Sequence, residues 1–503
     1  MSKNGDMARS GVSRRDVLRF GAALPLLSGL PNLGLGASGR HPGHTAKNII
    51  VCISDGMSAG VPAMLDQYLH RVHGKRSTWG KLQERADVEH GALVTKSLSS
   101  VVTDSAAASS AWGSGCLVWN GQLNTYPDST ELRPLYSLLK EAGMRTGLVS
   151  TATITHATPA GFAISEMSRD SEQSIAAKYL DAKVDVIMGG GRRFFAGEAR
   201  TDKRDLIAEF QAAGYGYASD RASLKAQKGE RILGLFSESH VPYEVDRLND
   251  AEFKDLPSLR EMAEAAINAL KGSSGGFILQ IEGARIDHAA HGNDLAGALF
   301  DQLAFEEAVA AALEFAENDG ETLVIVTSDH GNSNPGIIGA GPEYFDSTAG
   351  LETLTGMKKS YERTLPGLVL AKDNPAKIKE TVEAALGIAM DEDELALFQA
   401  GLKGEGSLSK VYQYQIAACH LSLAISNHTH VAWSGRQHTN DYTIVSAFGP
   451  GAEAFRGLTH NKAWFGEILA HRDITYRNKQ MDFETAQAAH ARASLSIEPA
   501  HWA

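Results

Sequence analysis

The sequence predicts an α/β protein whose central sheet is mostly parallel and is covered by helices on both faces. Strand-like apolar runs alternate with helical patterns from residue 48 to about residue 334. This alternation is typical of a parallel sheet, because each crossover helix packs back onto one face. With 503 residues, 43% of them hydrophobic, the chain can bury a large core. We therefore expect one large α/β domain that carries an insertion.

Five short apolar runs predict the strands of this sheet in chain order. They span residues 48–55, 146–151, 184–188, 276–282 and 322–329. Helical spacing of apolar residues predicts helices over 259–270 and 299–315, which precede the fourth and the fifth run. Three glycines, Gly189 to Gly191, follow the third run without the G-x-G-x-x-G spacing of a phosphate loop. They predict a tight turn.

From about residue 339 to residue 425 the pattern changes and predicts an insertion. This segment holds aromatic and glycine-rich patches and one charged helix over 375–386. A strand-like apolar run appears again at 441–449, so we expect one domain over residues 46–503, interrupted by the insertion. Because the insertion starts soon after the fifth strand, it begins beside the sheet end where ligands bind. A lid or crown over that site, a dimer contact and a passive surface elaboration all fit the sequence.

The N-terminus has the pattern of an export signal. Paired arginines, Arg14 and Arg15, precede a weakly apolar segment over 20–30 that contains Pro25 and is too short to span a bilayer. This pattern predicts a twin-arginine signal and linker over residues 1–45, and hence a periplasmic or secreted protein. A basic arm on a cytosolic protein is the alternative. No other segment is long and apolar enough to predict a membrane span.

Charge and cysteine content narrow the class of protein. A formal net charge of -12 argues against nucleic-acid binding, because proteins that bind the phosphate backbone present a basic face. The three cysteines, Cys52, Cys116 and Cys419, allow at most one disulfide. Cys52 lies inside an apolar run and is expected in the core. The sequence therefore argues against a nucleic-acid partner and a disulfide-rich fold.

Acidic residues and histidines collect where the predicted strands end. Three carboxylates end apolar runs, and one carboxylate and two histidines follow them closely: Asp55, Glu282, Asp329, Asp287, His291 and His330. Ligands of parallel sheets bind outside the carboxyl ends of the strands, so these side chains are expected to meet there. Buried carboxylates without a cation carry a severe desolvation cost unless a pair shares a proton. The pattern therefore predicts a site for several metal ions, with ligands that suit zinc.

Ser105 is the candidate nucleophile of this site. It opens an alanine- and serine-rich run over 105–112 that predicts a tightly packed helix after Asp104. A helix N-terminus favours anions such as phosphate. The sequence has no Ser-His-Asp triad or G-x-S-x-G elbow, so a metal ion is the expected activator of the serine hydroxyl. A simple N-cap serine is the alternative.

Six motifs, taken in chain order, resemble those of the alkaline phosphatases. They are TDSAAA at 103–108, HATPAG at 156–161, VDVIMGGGR at 184–192, QIEGARIDHAAH at 280–291, VTSDH at 326–330 and RQHT at 436–439. The similarity covers most of residues 48–334, resumes at about 430–450 and omits the insertion. It implies an alkaline-phosphatase-like fold and the hydrolysis of phosphate monoesters through a phosphorylated serine. It also implies two zinc ions and one magnesium ion. Many relatives are homodimers, and a long insertion can either create or block such an interface.

The resemblance further implies a role for each matching residue. The matching metal ligands are Asp287, His291 and His438 for one zinc ion, Asp55, Asp329 and His330 for the second, and Asp55, Thr158 and Glu282 for magnesium. Ser105 would attack the phosphate beside the second zinc ion. Arg169, thirteen residues after His156, would hold the phosphate through two parallel hydrogen bonds.

Two histidines depart from the pattern of some bacterial members, which carry aspartate and lysine there. They are His156 and His288. We expect both to lie beside the metal ligands without binding a cation themselves, with direct ligation as the alternative. An imidazole near the third cation leaves its identity open between magnesium, zinc and cobalt.

Other activities of the same superfamily are the alternatives to a monoesterase. They are a phosphodiesterase, a sulfatase and a cofactor-independent mutase. Residues 105–109 lack the C/S-x-P-x-R pattern of sulfatases, and a third metal site suits a dianionic monoester better than a diester. A non-catalytic metal- or phosphate-binding protein of the cell envelope is the alternative from another class.

Overall fold

A ten-stranded sheet forms the centre of the molecule, which a computed structural model describes over residues 45–493. Within that range the strands are β1 (Asn48–Ser54), β2 (Val88–Val94), β3 (Arg145–Thr153), β4 (Val186–Gly190), β5 (Gly216–Ala218), β6 (Ile232–Leu235), β7 (Phe277–Gly283), β8 (Thr322–Thr327), β9 (Gly331–Asn332), β10 (Gly336–Ile337), β11 (Val431–Ala432), β12 (His438–Thr439), β13 (Thr443–Phe448) and β14 (Gly457–His460). The strand order of the large sheet is β14-β2-β13-β8-β1-β7-β3-β4-β6-β5. The remaining four strands form two short ribbons, β10-β11 and β12-β9.

The predicted mostly parallel sheet is confirmed. The central strand β1 pairs in parallel with β7 on one side and with β8 on the other. All five predicted strands are present, with bounds within two residues of the prediction. The run at 441–449 forms β13, which is antiparallel to both of its neighbours. Of the three glycines predicted as a turn, the first two complete β4, and only Gly191 has a positive φ, of 90°.

Helices cover both faces of the sheet. The described α-helices are Gly60–His73, Thr78–Glu84, Ser105–Ser114, Leu135–Glu141, Ala157–Ala163, Glu172–Asp181, Leu206–Ala212, Arg221–Ala226, Glu244–Asn249, Leu259–Leu270, Arg285–His291, Leu295–Asp319, Ser347–Glu352, Tyr361–Leu370, Pro375–Leu386, Glu392–Lys403, Ala417–Ala424, Ser426–Thr429, Trp464–Ala470 and Phe483–Arg492. Short 3-10 helices span Arg192–Phe194, Ala251–Phe253, Pro342–Tyr344, Thr353–Gly356, Leu408–Lys410, Tyr412–Tyr414, Ala452–Phe455 and Asn461–Ala463.

Two hydrophobic cores lie on opposite faces of the sheet. Along β1, Ile50 and Cys52 pack into one core, and Ile49, Val51 and Ile53 pack into the other. Successive side chains of a strand point to opposite faces, so a continuously apolar strand is the one that is covered on both sides. Packing on both faces thus fixes the position of the central strands, whose carboxyl ends carry the acidic residues.

The segment predicted as an insertion, 339–425, is mainly helical. Its predicted helix over 375–386 matches Pro375–Leu386. The helix Tyr361–Leu370 begins at two buried carboxylates: Asp246 accepts from the backbone N–H and the hydroxyl of Ser360, at 2.9 and 2.6 Å, and Asp294 accepts from the N–H of Tyr361 at 2.6 Å. These hydrogen bonds fix the start of that helix to the α/β core.

Three further points concern the cysteines, membrane-spanning helices and the predicted export signal. Cys52, Cys116 and Cys419 are all buried free thiols. Between residues 45 and 493 no helix combines the length and apolarity that a bilayer span requires. The twin-arginine signal predicted over residues 1–45 lies almost wholly outside the described residues.

Candidate active site

Three adjacent strands bring three carboxylates to one end of the sheet. Asp55 follows β1, Glu282 is the penultimate residue of β7, and Asp329 lies two residues beyond β8. The register aligns Ile53 of β1 with Glu282 on one side and with Thr327 on the other. The three carboxylates are fully buried. The predicted meeting of acidic residues at the carboxyl ends of the strands is therefore present.

The helix Arg285–His291 starts just beyond β7 and presents Asp287 and His291 on one face. Nε2 of His291 lies 3.3 Å from Oδ2 of Asp287. His438 reaches this pair from the ribbon β12-β9, with Nε2 3.1 Å from Nε2 of His291 and 3.5 Å from Oδ1 of Asp287. Nδ1 of His291 faces the carbonyl of Arg436 at 2.8 Å, and Nδ1 of His438 faces that of Thr103 at 2.9 Å. Such bonds orient both rings with Nε2 toward a common point, as in metal-binding histidines.

A second group of donors surrounds His330. Nε2 of His330 lies 3.1 Å from Oδ2 of Asp329 and 3.7 Å from Oδ1 of Asp55. Its ring stacks on that of His438 at 3.7 Å, which joins this group to the first. Gly56 donates its N–H to Oδ1 of Asp329 at 3.0 Å, and its φ of 65° and its approach to Asp287 leave no room for a Cβ atom. The turn after β1 therefore requires glycine at this position.

A third group joins Asp55 to Glu282. Oγ1 of Thr158 lies 3.4 Å from Oδ2 of Asp55, and Ser150 donates its hydroxyl to Oε2 of Glu282 at 2.5 Å. A ring nitrogen of His156 and one oxygen each of Asp55 and Glu282 lie within 4.8 Å of one another. His156 is thus close enough to reach a cation held by the two carboxylates, while its role stays a prediction.

The three groups fit metal ions. One carboxylate oxygen each of Asp55, Glu282 and Asp329 is buried without a hydrogen-bond partner. Leaving such an atom unsatisfied costs about 1–3 kcal/mol, and more for a charged group. Clusters that mix imidazole and carboxylate suit zinc, and a cluster rich in oxygen donors suits magnesium. The sequence prediction of a site for several cations is consistent with these donors.

The electrostatics divide the four carboxylates into two pairs. Burial, followed by repulsion from Asp329 and Asp287, holds the pKa of Asp55 well above its usual range, and burial raises the pKa of Glu282 to about 7. Burial also raises the pKa of Asp287 and Asp329, but neighbouring histidines outweigh it and lower both pKa values overall. A cation between these groups would favour the ionised form of all four.

Ser105 is the first residue of the helix Ser105–Ser114. The N-cap is Asp104, whose Oδ1 accepts from the N–H of Ala107 at 2.9 Å, so the alternative of Ser105 as the N-cap is wrong. The hydroxyl of Ser105 instead lies 3.3 Å from Nε2 of His330. The helix N-terminus therefore places this hydroxyl at the edge of the metal-ligand groups.

Arg169 lies beside the same helix start. Its side chain is buried, with Nη1 3.2 Å from Oδ2 of Asp104 and Nη2 2.9 Å from Nε2 of His156. Arg169 and Ser105 line one cavity of about 480 Å³. The guanidinium predicted to hold phosphate is thus on the wall that also bears the candidate nucleophile.

Several functional neighbours were not predicted. Asp104, Ser150 and Asn332 hold Arg169, Glu282 and Asp287 respectively, the last through a 2.7 Å bond from Nδ2 of Asn332 to Oδ1 of Asp287. Asp104 had a signal, because aspartate just before a helical run is a preferred N-cap. No pattern in the sequence pointed to Ser150 or Asn332.

His288 belongs to a partly buried cluster of three imidazoles. Its ring lies 5.5 Å from that of His156 and 4.6 Å from that of His240, a residue that sequence reasoning missed. Burial lowers the pKa of all three well below the usual range, to about 3 for His240. Nη1 of Arg285 lies 3.0 Å from Nδ1 of His288. The cluster is therefore neutral and borders the metal-ligand groups.

Comparison with known proteins agrees with this arrangement. The model of one protein family, alkaline phosphatase, matches residues 46–471. The chain belongs to the alkaline phosphatase family. Alkaline phosphatase 3 of Bacillus subtilis is 32% identical over 438 residues, which cover 82% of this chain and 86% of the relative. The alkaline phosphatase of Escherichia coli is 32% identical over 333 residues, 58% of this chain and 71% of the relative.

Solved structures of alkaline phosphatases share the fold. The crystal structure of the Thermus thermophilus alkaline phosphatase matches with a TM-score of 0.84 and 34% identity, covering 90% of this chain and 96% of that one. The cold-active alkaline phosphatase of a psychrophilic Shewanella matches with a TM-score of 0.70 and 26% identity, covering 84% and 99%. As a member of this family the chain is a phosphoric monoester hydrolase with metal-binding groups.

Proposed function

We propose that this alkaline phosphatase is an exported enzyme that hydrolyses phosphate monoesters through a phosphoserine on Ser105 and releases inorganic phosphate. The observation that carries the proposal is the position of the Ser105 hydroxyl, 3.3 Å from Nε2 of His330 and in the same cavity as Arg169. A nucleophile, a phosphate-binding cation and a set of metal ligands therefore meet at one place.

The side chains divide the chemistry between them. Oγ of Ser105 attacks the phosphorus, the bond to the alcohol breaks on the opposite side, and water then attacks the phosphoserine to free the serine. Arg169 holds two phosphate oxygens with parallel hydrogen bonds, and Asp104 keeps the guanidinium in place. The N-terminus of the helix Ser105–Ser114 adds favourable potential for the anion. Positioning and charge stabilisation thus provide most of the catalysis.

We assign the three donor groups to two zinc ions and one magnesium ion. The residues that would hold them are Asp287, His291 and His438 for one zinc ion, Asp55, Asp329 and His330 for the other, and Asp55, Thr158 and Glu282 for magnesium. When bound, these ions supply Lewis acidity that activates the serine hydroxyl and stabilises the attacking and leaving oxygens. Because His156 offers a ring nitrogen to the third group, zinc or cobalt competes with magnesium there.

A phosphodiesterase is the competing activity within the superfamily. The third donor group favours the monoesterase, since a third cation adds positive charge for a dianionic substrate.

The test compares 4-nitrophenyl phosphate with bis(4-nitrophenyl) phosphate, which share a leaving group. We expect kcat/KM for the monoester to exceed that for the diester by at least about tenfold, or about 1.4 kcal/mol of transition-state stabilisation. Purified full-length enzyme loaded with zinc and magnesium is the sample, and enzyme treated with a chelator is the control. A higher kcat/KM for the diester would overturn the monoesterase assignment, and phosphate binding without turnover would overturn catalysis.

The cellular context follows from the N-terminal pattern. Residues 1–45 serve as a twin-arginine signal and linker, so the mature enzyme works in the periplasm or outside the cell, on small phosphate monoesters that it meets there. Residues 46–503 form the catalytic domain, with 339–425 as an insertion at its active site. A homodimer, as in many relatives, stays a prediction.

A further inference from the structure

The cavity that contains Ser105 extends beyond the room that a phosphate group needs. Its volume of about 480 Å³ lies in the range of pockets that bind drug-sized ligands. Its lining includes Ser105 and Arg169 together with three apolar side chains, Leu365, Ile416 and Ala418. These last three residues all belong to the 339–425 segment. Space for the alcohol part of a substrate is thus bounded by the insertion.

Leu365, Ile416 and Ala418 form a fixed wall of the cavity. Leu365 lies on the helix Tyr361–Leu370, whose start is held by the buried carboxylates of Asp246 and Asp294. Ile416 directly precedes the helix Ala417–Ala424. A Cβ atom placed on Gly292, the residue after His291, would lie 3.8 Å from Cβ of Ala418. The wall therefore stands directly against the helix that carries Asp287 and His291.

The guanidinium of Arg285, which also lines this cavity, already has partners. Arg285 makes an ion pair with Glu362 through Nη2, contacts Nδ1 of His288 at 3.0 Å through Nη1, and lies over the ring of Tyr243 at 3.9 Å. Because its guanidinium already has these partners, Arg285 does not require a second anionic group on the substrate. Leu365 and Ile416 are only partly buried, so each leaves apolar surface facing the cavity.

We propose that Leu365, Ile416 and Ala418 form an apolar subsite for the leaving group, which gives the enzyme a preference for phosphate esters of bulky apolar alcohols. This inference rests on the proposed monoesterase function. In an in-line displacement the alcohol departs on the side opposite the attacking serine oxygen. When an apolar group on that alcohol contacts the wall, both apolar surfaces are removed from water. This burial lowers the activation free energy of phosphoryl transfer only for esters that are long enough to reach the wall.

The test uses 2-phenylethyl phosphate and ethyl phosphate. Both are esters of primary alkyl alcohols, and they differ by one apolar ring. We expect the wild-type enzyme to favour the phenylethyl ester by about tenfold in kcat/KM, the lower range for discrimination by a hydrophobic pocket. The double variant Leu365→Ala/Ile416→Ala should reduce this preference to about twofold, by lowering kcat/KM for the phenylethyl ester much more than for ethyl phosphate.

Two further variants separate the subsite from a loss of folding. Leu370→Ala alters the same helix at a side chain that is 90% exposed and does not line the cavity, so it should keep the tenfold preference. Ile416→Trp fills the space instead of enlarging it, and should lower kcat/KM for the phenylethyl ester alone. Thermal melting of each variant identifies any that fails to fold.

The outcomes distinguish this inference from the function on which it rests. Turnover of both esters with equal kcat/KM in the wild type overturns the subsite and leaves the monoesterase intact. An equal loss for both esters in the folded double variant also overturns it. Absence of turnover of either ester and of 4-nitrophenyl phosphate overturns both proposals together.

Discussion

Ser105→Ala is expected to lower kcat for 4-nitrophenyl phosphate by about 10⁴-fold or more, while the bound metal content stays at the wild-type level. The loss is large because the variant has no oxygen to attack phosphorus, and loss of a nucleophile removes a complete reaction path. The metal content persists because every donor of the three groups is unchanged. Steady-state kinetics and elemental analysis of the same sample measure the two effects.

Ser109→Ala is the matched control for this variant. Ser109 lies one turn further along the same helix, and its buried hydroxyl donates to the carbonyl of Ala157 at 3.0 Å. Its removal should cost about 1 kcal/mol of stability, the usual value of such a hydrogen bond, and leave kcat near the wild-type value. Wild-type turnover by Ser105→Ala would remove Ser105 from the mechanism.

Asp329→Ala is expected to reduce kcat by about 10³-fold or more and to lower the bound zinc by about one ion per chain. Asp329 contributes a buried oxygen that lies 3.1 Å from Nε2 of His330 without a protein hydrogen bond, and its other oxygen accepts the N–H of Gly56. Without this carboxylate the second zinc group keeps only Asp55 and His330, whereas a catalytic zinc site uses three protein ligands. Activity measured across a zinc titration, together with elemental analysis, tests this loss.

Glu321→Ala provides the control for this change. Glu321 lies next to the opposite end of β8, and its side chain is 62% exposed and paired with Lys47 at 3.8 Å. Surface pairs of this kind contribute about 0–1 kcal/mol, so stability, zinc content and kcat should hardly change. Wild-type zinc content in Asp329→Ala would contradict the assignment of that residue.

The sequence was most informative where local pattern decides structure. The runs that became β1, β7 and β8 are mostly apolar because both faces of each strand are buried. Once they are placed side by side, Asp55, Glu282 and Asp329 must meet. Asp287 and His291 are four residues apart, a spacing that predicts a common face if the segment is helical. The segment does form a helix, so both side chains lie on one face.

Other features depend on contacts that no local pattern encodes. His438 reaches Asp287 through a ribbon of two short strands, about 150 residues further along the chain. In contrast, the helix predicted over 299–315 has local end signals: Asp294 caps its start and Gly320, with a φ of 70°, ends it, so it spans Leu295–Asp319. His240 and the wall formed by Leu365 and Ile416 come from segments without a recognisable motif. Tertiary packing alone brings them to the cavity.

Anomalous diffraction from crystals of the full chain, grown with zinc and magnesium, would locate the cations themselves. We expect two strong peaks at the zinc absorption edge. One should lie among Asp287, His291 and His438, and the other among Asp55, Asp329 and His330. A third density with oxygen ligands should lie between Asp55 and Glu282. Crystals with zinc bound only at the surface, and none among these carboxylates and imidazoles, would contradict the metal-dependent mechanism as a whole.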